Sequence, residues 1–281
     1  MYKHVIITGG SSGIGKAIAT LLIKSGANVC IISRNQTKLN STQAELETLK
    51  IHPEQQILAI SADVSQWEQT QKAIATAIAE LGVPDLLIAS AGIAHPGYFT
   101  ELEVAIFEET MAINYFGTLY CIKAALPAML QQQKGHIVII SSGAGLIGLY
   151  GYTPYSPSKF AVRGLAESLR GELKTAGLHI SIVYPPDTDT PQLAAENQTK
   201  PPETKLITQS AQIMTAEKVA IEILQGITRK AFAITPGLEM SLLMRLHSLF
   251  APLLQWYFDS LVRKTRHNKK LQINNEINFY R

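Results

Sequence analysis

Residues 3–15 read Lys3-His4-Val5-Ile6-Ile7-Thr8-Gly9-Gly10-Ser11-Ser12-Gly13-Ile14-Gly15. So short an apolar run, ending in glycines and serines, reads as a buried β-strand entering a tight turn. A helical pattern follows from Lys16 to Ser25, and Gly26 closes it. Strand, glycine-rich turn and helix in that order let backbone N–H groups and a helix N-terminus approach a pyrophosphate, because glycines leave no side chain in the way. Alone, the turn also fits a plain tight connection. Its weight comes from what surrounds it.

Outward from that unit, apolar strand runs alternate with helical patterns. Strands are expected at 4–8, 28–33, 57–61, 85–90, 136–141, 179–184 and 231–235. Helices are expected at 14–25, 37–50, 67–81, 104–131, 155–176 and 216–227. The fold class is therefore α/β: a Rossmann-type doubly wound parallel sheet of about seven strands, with helices on both faces and ligands beyond the carboxyl ends of the strands.

With 281 residues, 46% of them apolar, the chain suits one such domain and an extension. Cys30 falls in a strand and Cys121 in a long helix, so both read as core thiols in a reducing compartment. Neither has a metal-ligand pattern around it, and a net charge of +3 gives no ground for a nucleic-acid partner. The first strand starts within a few residues of Met1, so neither a signal peptide nor an N-terminal anchor is expected.

The run Tyr155-Ser156-Pro157-Ser158-Lys159 carries the chemistry. Four apart on a helix, tyrosine and lysine share a face. An ammonium beside a phenol favours phenolate, so Lys159 is expected to lower the Tyr155 pKa toward the range in which it exchanges a proton at neutral pH.

TGGSSGIG at 8–15, Ala91-Gly92 after the fourth strand, Asn114, Ser142 and YSPSK together resemble the short-chain dehydrogenase/reductase family, over residues 3 to about 236. Ser142 follows the apolar run His136 to Ile140, so a strand end carries it toward the phenol. The resemblance implies a catalytic tetrad of Asn114, Ser142, Tyr155 and Lys159. In it Tyr155 protonates the developing alkoxide, Lys159 tunes the phenol and hydrogen-bonds the nicotinamide ribose, Ser142 holds the carbonyl oxygen, and Asn114 supports a water path. It also implies cofactor contacts at Gly9, Ser11, Ser12, Gly13, Ile14, Gly15, Gly92, the pair Asp63-Val64, and Pro185, Thr188 and Thr190. Read without the family, Asp63 is equally a helix-start residue. Ser90 departs from the asparagine usual before Ala-Gly, and Ser141 is the structural neighbour of Ser142.

The second strand ends Ile32-Ser33-Arg34-Asn35. It offers no carboxylate to a ribose diol but an arginine whose fork suits a phosphate, and Lys38 adds charge one turn on. NADP is thus expected over NAD.

Tyr184-Pro185-Pro186-Asp187-Thr188-Asp189-Thr190-Pro191, with Glu196-Asn197 and Thr199-Lys200-Pro201 through Thr204, resembles the branch of this family that reduces the 3-keto group of a long-chain amino alcohol, a sphingoid-base precursor. Residues 1–238 are read as the catalytic domain, with 186–214 covering the substrate, and 239–281 as an amphipathic, basic extension. Between Glu239 and Asp259 a narrow polar stripe of Ser241, Arg245, Ser248, Pro252, Gln255 and Asp259 divides an otherwise apolar helix, with a break expected at Pro252. Such a helix fits the membrane interface, where the basic residues Arg263 to Lys270 would meet anionic headgroups. The place implied is the cytoplasmic face of a membrane, peripheral or monotopic. Packing of the helix on the sheet or a second subunit, and a spanning helix, are the alternatives. Relatives often pair as dimers or tetramers through the helices bearing Asn114 and Tyr155. Rival readings are a reductase or dehydrogenase for another hydrophobic ketone or alcohol (3-oxoacyl, retinoid or steroid), and a non-catalytic nucleotide sensor.

Overall fold

A computed structural model describes residues 2–209 and 212–279, with side chains as far as Thr265. The side chains of Arg266, Lys269, Lys270 and Arg281, part of the expected basic tail, lie outside the described residues.

Strands β1 (His4–Thr8), β2 (Asn28–Ser33), β3 (Ile57–Ser61), β4 (Leu86–Ala89), β5 (His136–Ile140) and β6 (His179–Val183) agree with the expected runs to within a residue or two. Two short strands, β7 (Thr188–Asp189) and β8 (Met214–Thr215), pair with each other, and β9 (Ala233–Ile234) completes the main sheet. That sheet is parallel with the order β3-β2-β1-β4-β5-β6-β9. The chain leaves β1 toward β2 on one side and returns to β4 on the other, so the crevice of a doubly wound sheet opens above β1 and β4. There the Thr8 hydroxyl accepts from the backbone N–H groups of Ser90 and Ala91, at 3.2 and 3.3 Å, tying the two strand ends together.

Alternate residues of each strand face opposite layers. Ile6, Ile32, Leu87 and Ile139 pack with α3 (Trp67–Leu81), α5 (Gly117–Gln132) and α6 (Tyr155–Thr175). Val5, Ile7, Ile31, Ile88 and Val138 pack with α1 (Gly13–Ile23), α2 (Gln36–Glu47) and α9 (Ala216–Thr228). Strands apolar on both faces are what a sheet covered on both sides requires. Cys30 and Cys121 are buried in the first of these layers, and burial pushes both thiols up to about 12.

The long helix expected at 104–131 is interrupted. Helix α4 (Val104–Met111) passes into a π-helical turn, Ala112–Phe116, before α5. Such turns concentrate at functional sites, and this one carries Asn114, whose carbonyl accepts from the Thr118 hydroxyl at 2.8 Å. Two helices without a clear period in the sequence, α7 (Pro191–Thr199) and α8 (Pro202–Thr208), lie between β7 and β8. The β7–β8 pair closes this excursion back onto the body.

The last helix, α10 (Leu238–Phe279), corrects one expectation: it runs unbroken through Pro252. A proline removes one N–H and crowds one carbonyl, while the bonds on either side remain. The first turns of α10 pack on the body through Met240, Leu243 and Met244, and Ser241 bonds Thr235. Leu238, Leu242, Leu249, Leu253 and Trp256 stay exposed. No helix among the described residues is long and apolar enough to cross a membrane.

Candidate active site

Tyr155 is the first residue of α6, and Pro157 sits in the first turn, where a missing N–H costs nothing. One turn on, Lys159 shares its face. The phenol and the ammonium are both buried, with Nζ 5.4 Å from the centre of the Tyr155 ring and donating to the Ile140 carbonyl at 3.0 Å. Ser142 lies just past β5 and hydrogen-bonds Tyr155. The Asn114 amide donates to the Ile93 carbonyl (3.0 Å) and to the Ser158 hydroxyl (2.9 Å), and accepts from the Ile93 N–H (2.9 Å). Ser158 in turn donates to the Tyr155 carbonyl, so the π-turn, the segment after β4 and the head of α6 are locked together. A Cβ on Gly92 would stand 3.2 Å from Asn114 Oδ1 and 3.5 Å from Lys159 Nζ. Ser142, Tyr155 and Lys159 therefore line one cavity, and Asn114 is buried beside them, bonded to Ser158. Ser141 is structural, its hydroxyl donating to the Lys159 carbonyl at 3.2 Å.

The electrostatics differ from expectation. Tyr155 has its pKa raised rather than lowered, first by burial and then by the nearby Glu196 carboxylate, while hydrogen bonds from Ser142 and Gln192 oppose the rise. Lys159 is brought down to about 8 by burial, with Glu196 opposing. The expected lowering by Lys159 fails because the ammonium is itself desolvated and is directed at a backbone carbonyl instead of the phenol oxygen. Tyr155 thus carries its proton at neutral pH.

The glycine loop forms a cradle that side chains would fill. Gly9 and Gly13 have φ of +68° and +52°, and a Cβ on Gly15 would collide with the Gly9 carbonyl. Gly9, Ser12, Gly13, Ile14, Gly15, Gly92, Pro185, Thr188 and Thr190 line the same cavity of about 180 Å³ as Ser142, Tyr155 and Lys159. Thr190 caps α7 by accepting from the Leu193 N–H and sits against Gly13. Ser11 Oγ is committed to Ser33 Oγ at 2.9 Å, which leaves its backbone rather than its hydroxyl for a phosphate. An adjoining cleft is lined by Ser11, Ser12, Arg34, Lys38, Val64 and Gly92. Arg34 is half exposed there, 4.0 Å from Asp63 and 3.9 Å from Glu109. Asp63 accepts from the Ser65 N–H and hydroxyl and shapes the turn before α3, whose first cap position is Gln66 and not Asp63, with Arg34 beside it. A pyrophosphate cradle, a cationic end and a buried proton donor on one crevice fit a dinucleotide.

Sequence reasoning missed the polar wall opposite Tyr155. Glu196 accepts from Tyr152 OH at 2.6 Å and from Gln192 Nε2 at 2.9 Å. Lys200 is buried, 3.7 Å from Asp187 and over the Tyr152 ring. Tyr98 donates to the buried Glu203 at 2.9 Å, and Thr204 to the Tyr150 carbonyl at 2.9 Å, so α7 and α8 are pinned over the cavity. Glu196, Lys200, Glu203 and Thr204 all belong to the 196–204 run that the sequence singled out, which was the available signal.

A family model described as short chain dehydrogenase matches residues 3–201. The chain is 44% identical over 250 residues to a 3-ketodihydrosphingosine reductase of Bos taurus, covering 89% of this chain and 75% of that one. It is 41% identical to the Mus musculus protein of the same name, covering 93% and 86%. Among solved structures, a short chain dehydrogenase/reductase from Burkholderia phymatum in complex with NAD superposes with a TM-score of 0.78 at 25% identity, covering 89% of this chain and 94% of that one.

Proposed function

Because this chain belongs to the short-chain dehydrogenase family, we propose that it reduces the 3-keto group of 3-ketodihydrosphingosine to the alcohol, with NADPH, at a membrane surface. It is an oxidoreductase with a nicotinamide cofactor. The observation that carries the substrate assignment is the likeness to the bovine and mouse reductases across most of the chain.

When bound along the glycine-rich loop, a nicotinamide cofactor would supply the hydride. The chain's own residues do the rest. Ser142 and Tyr155 direct hydroxyl groups at the position of a carbonyl oxygen, and Tyr155 gives its proton to that oxygen as it gains charge. The phenolate left behind is stabilised by Ser142 and by Gln192. Asn114 acts by position, holding Ile93 and the head of α6 in register. The two prolines after β6 and the helices α7 and α8 wall this end of the cavity.

NADPH is favoured over NADH by Arg34 and Lys38 at the cationic end of the cleft. The direct test is NADPH oxidation by purified protein against a ketone panel that includes 3-ketodihydrosphingosine and short 3-oxoacyl, steroid and retinoid substrates. A turnover preference for any of the others over 3-ketodihydrosphingosine overturns the assignment.

Membrane contact is supported by the exposed apolar residues of α10, Leu242, Leu249, Phe250, Leu253 and Trp256 among them. The protein should float with anionic liposomes, and joint Leu249→Glu and Phe250→Glu substitution should release it by charging that face. Neutralising Arg263 and Lys264 should weaken flotation less, and mainly at low salt, because each cation near headgroups contributes about 1 kcal/mol and is screened. If wild type ignores liposomes and the double variant loses an oligomer instead, α10 is a subunit contact. A dimer or tetramer through α5 and α6 is the assembly that the exposed Phe116 and Phe160 favour.

A further inference from the structure

Glu196 stands out among the groups that the reduction itself does not use. It is 8% exposed, lines the catalytic cavity, and holds Tyr152 OH and Gln192 Nε2 on its two oxygens. Among the described residues no lysine or arginine lies within ion-pair distance of it, whereas the neighbouring Asp187 has Lys200 at 3.7 Å. Lys159, which lines the same cavity and feels the Glu196 charge, is turned to the Ile140 carbonyl instead of pairing with it. A buried carboxylate without a counter-ion is costly, and two hydrogen bonds offset only part of that cost. The position is therefore built to receive a cation.

Resting on the proposed substrate, we infer that Glu196 receives the protonated 2-amino group of the long-chain amino ketone and selects it over ketones without an amine. Chemistry and geometry coincide here. The amine sits on the carbon next to the carbonyl, and the Gln192 amide bonds both Tyr155 and Glu196, so one side chain spans the site of the oxygen and the site of the ammonium. Tyr152 holds the second carboxylate oxygen and keeps its ring 5.7 Å from that of Tyr155, leaving the carboxylate no freedom to swing away. Docking of the ammonium has a second effect. Glu196 is one of the groups holding the Tyr155 proton on, so neutralising it makes the phenol a better acid only when the amine is in place.

The test compares kcat/KM of full-length wild type and Glu196→Gln for three ketones: 3-ketodihydrosphingosine, its N-acetyl derivative, and the same chain bearing the ketone but no nitrogen. Wild type should prefer the free amine, and Glu196→Gln should reduce that preference by about 10- to 100-fold, the range for a charge-assisted contact. The glutamine keeps a carbonyl for Tyr152, and a purely structural role would lower all three ketones alike. Should the variant fail to fold, wild type alone decides: equal kcat/KM for the free amine and the N-acetyl derivative overturns the inference. An unchanged preference in Glu196→Gln also overturns it while leaving the substrate assignment standing. No turnover of 3-ketodihydrosphingosine by wild type overturns both.

Discussion

Replacing Tyr155 with phenylalanine is expected to reduce turnover by about 10²- to 10⁴-fold, the contribution of a positioned proton donor, while cofactor affinity stays within about two-fold. The ring is buried against Tyr152 and Lys159, so phenylalanine keeps the packing and removes only the hydroxyl. Ser142 and Gln192 lose a partner, but both face the cavity, where water replaces it. Steady-state NADPH oxidation gives the first number and titration of cofactor fluorescence the second. Turnover within ten-fold of wild type would mean that another group delivers the proton, and the mechanism would fail.

The second large effect is expected at Arg34. Changing it to aspartate should move the kcat/KM preference from NADPH toward NADH by about 10- to 100-fold, or about 1.4 to 2.8 kcal/mol. The neighbours explain why the change should be this large. Asp63 and Glu109 already stand 4.0 and 3.9 Å from the guanidinium, so removing it uncovers two carboxylates and adds a third where a 2′-phosphate would lie. Lys38 remains in the cleft and limits the loss. Parallel assays with both cofactors measure the ratio. If it does not move, Arg34 serves those carboxylates alone and the choice of cofactor is made elsewhere.

Much of the fold was legible because its signals are local. A strand buried on both faces writes itself as a continuous apolar run, as in Val5 to Ile7 or His136 to Ile140, and a turn that requires positive φ writes itself as glycine, as at Gly9 and Gly13. The shared cavity of Tyr155, Lys159 and Ser142 was legible too, since the first two are one helical turn apart and Ser142 follows a strand end. What escaped was short or polar. Helices α7 and α8 have no strong apolar period because they bury polar groups, Glu196, Lys200, Glu203 and Thr204, instead of a greasy stripe. The π-turn at Asn114 escaped because a five-residue change of pitch leaves the periodicity of a long helix nearly intact.

The sequence by itself determined the α/β class, the strand order's raw material and the glycine-rich turn after β1, because each depends on residues near one another along the chain. Only the tertiary structure decided the sign of the Tyr155 shift, the counter-ion-free carboxylate at Glu196, and which face of α10 the body covers. A pKa answers to burial and to charges near in space, and Glu196 reaches Tyr155 across a fold that brings α7 over the head of α6. No spacing in the chain records that distance.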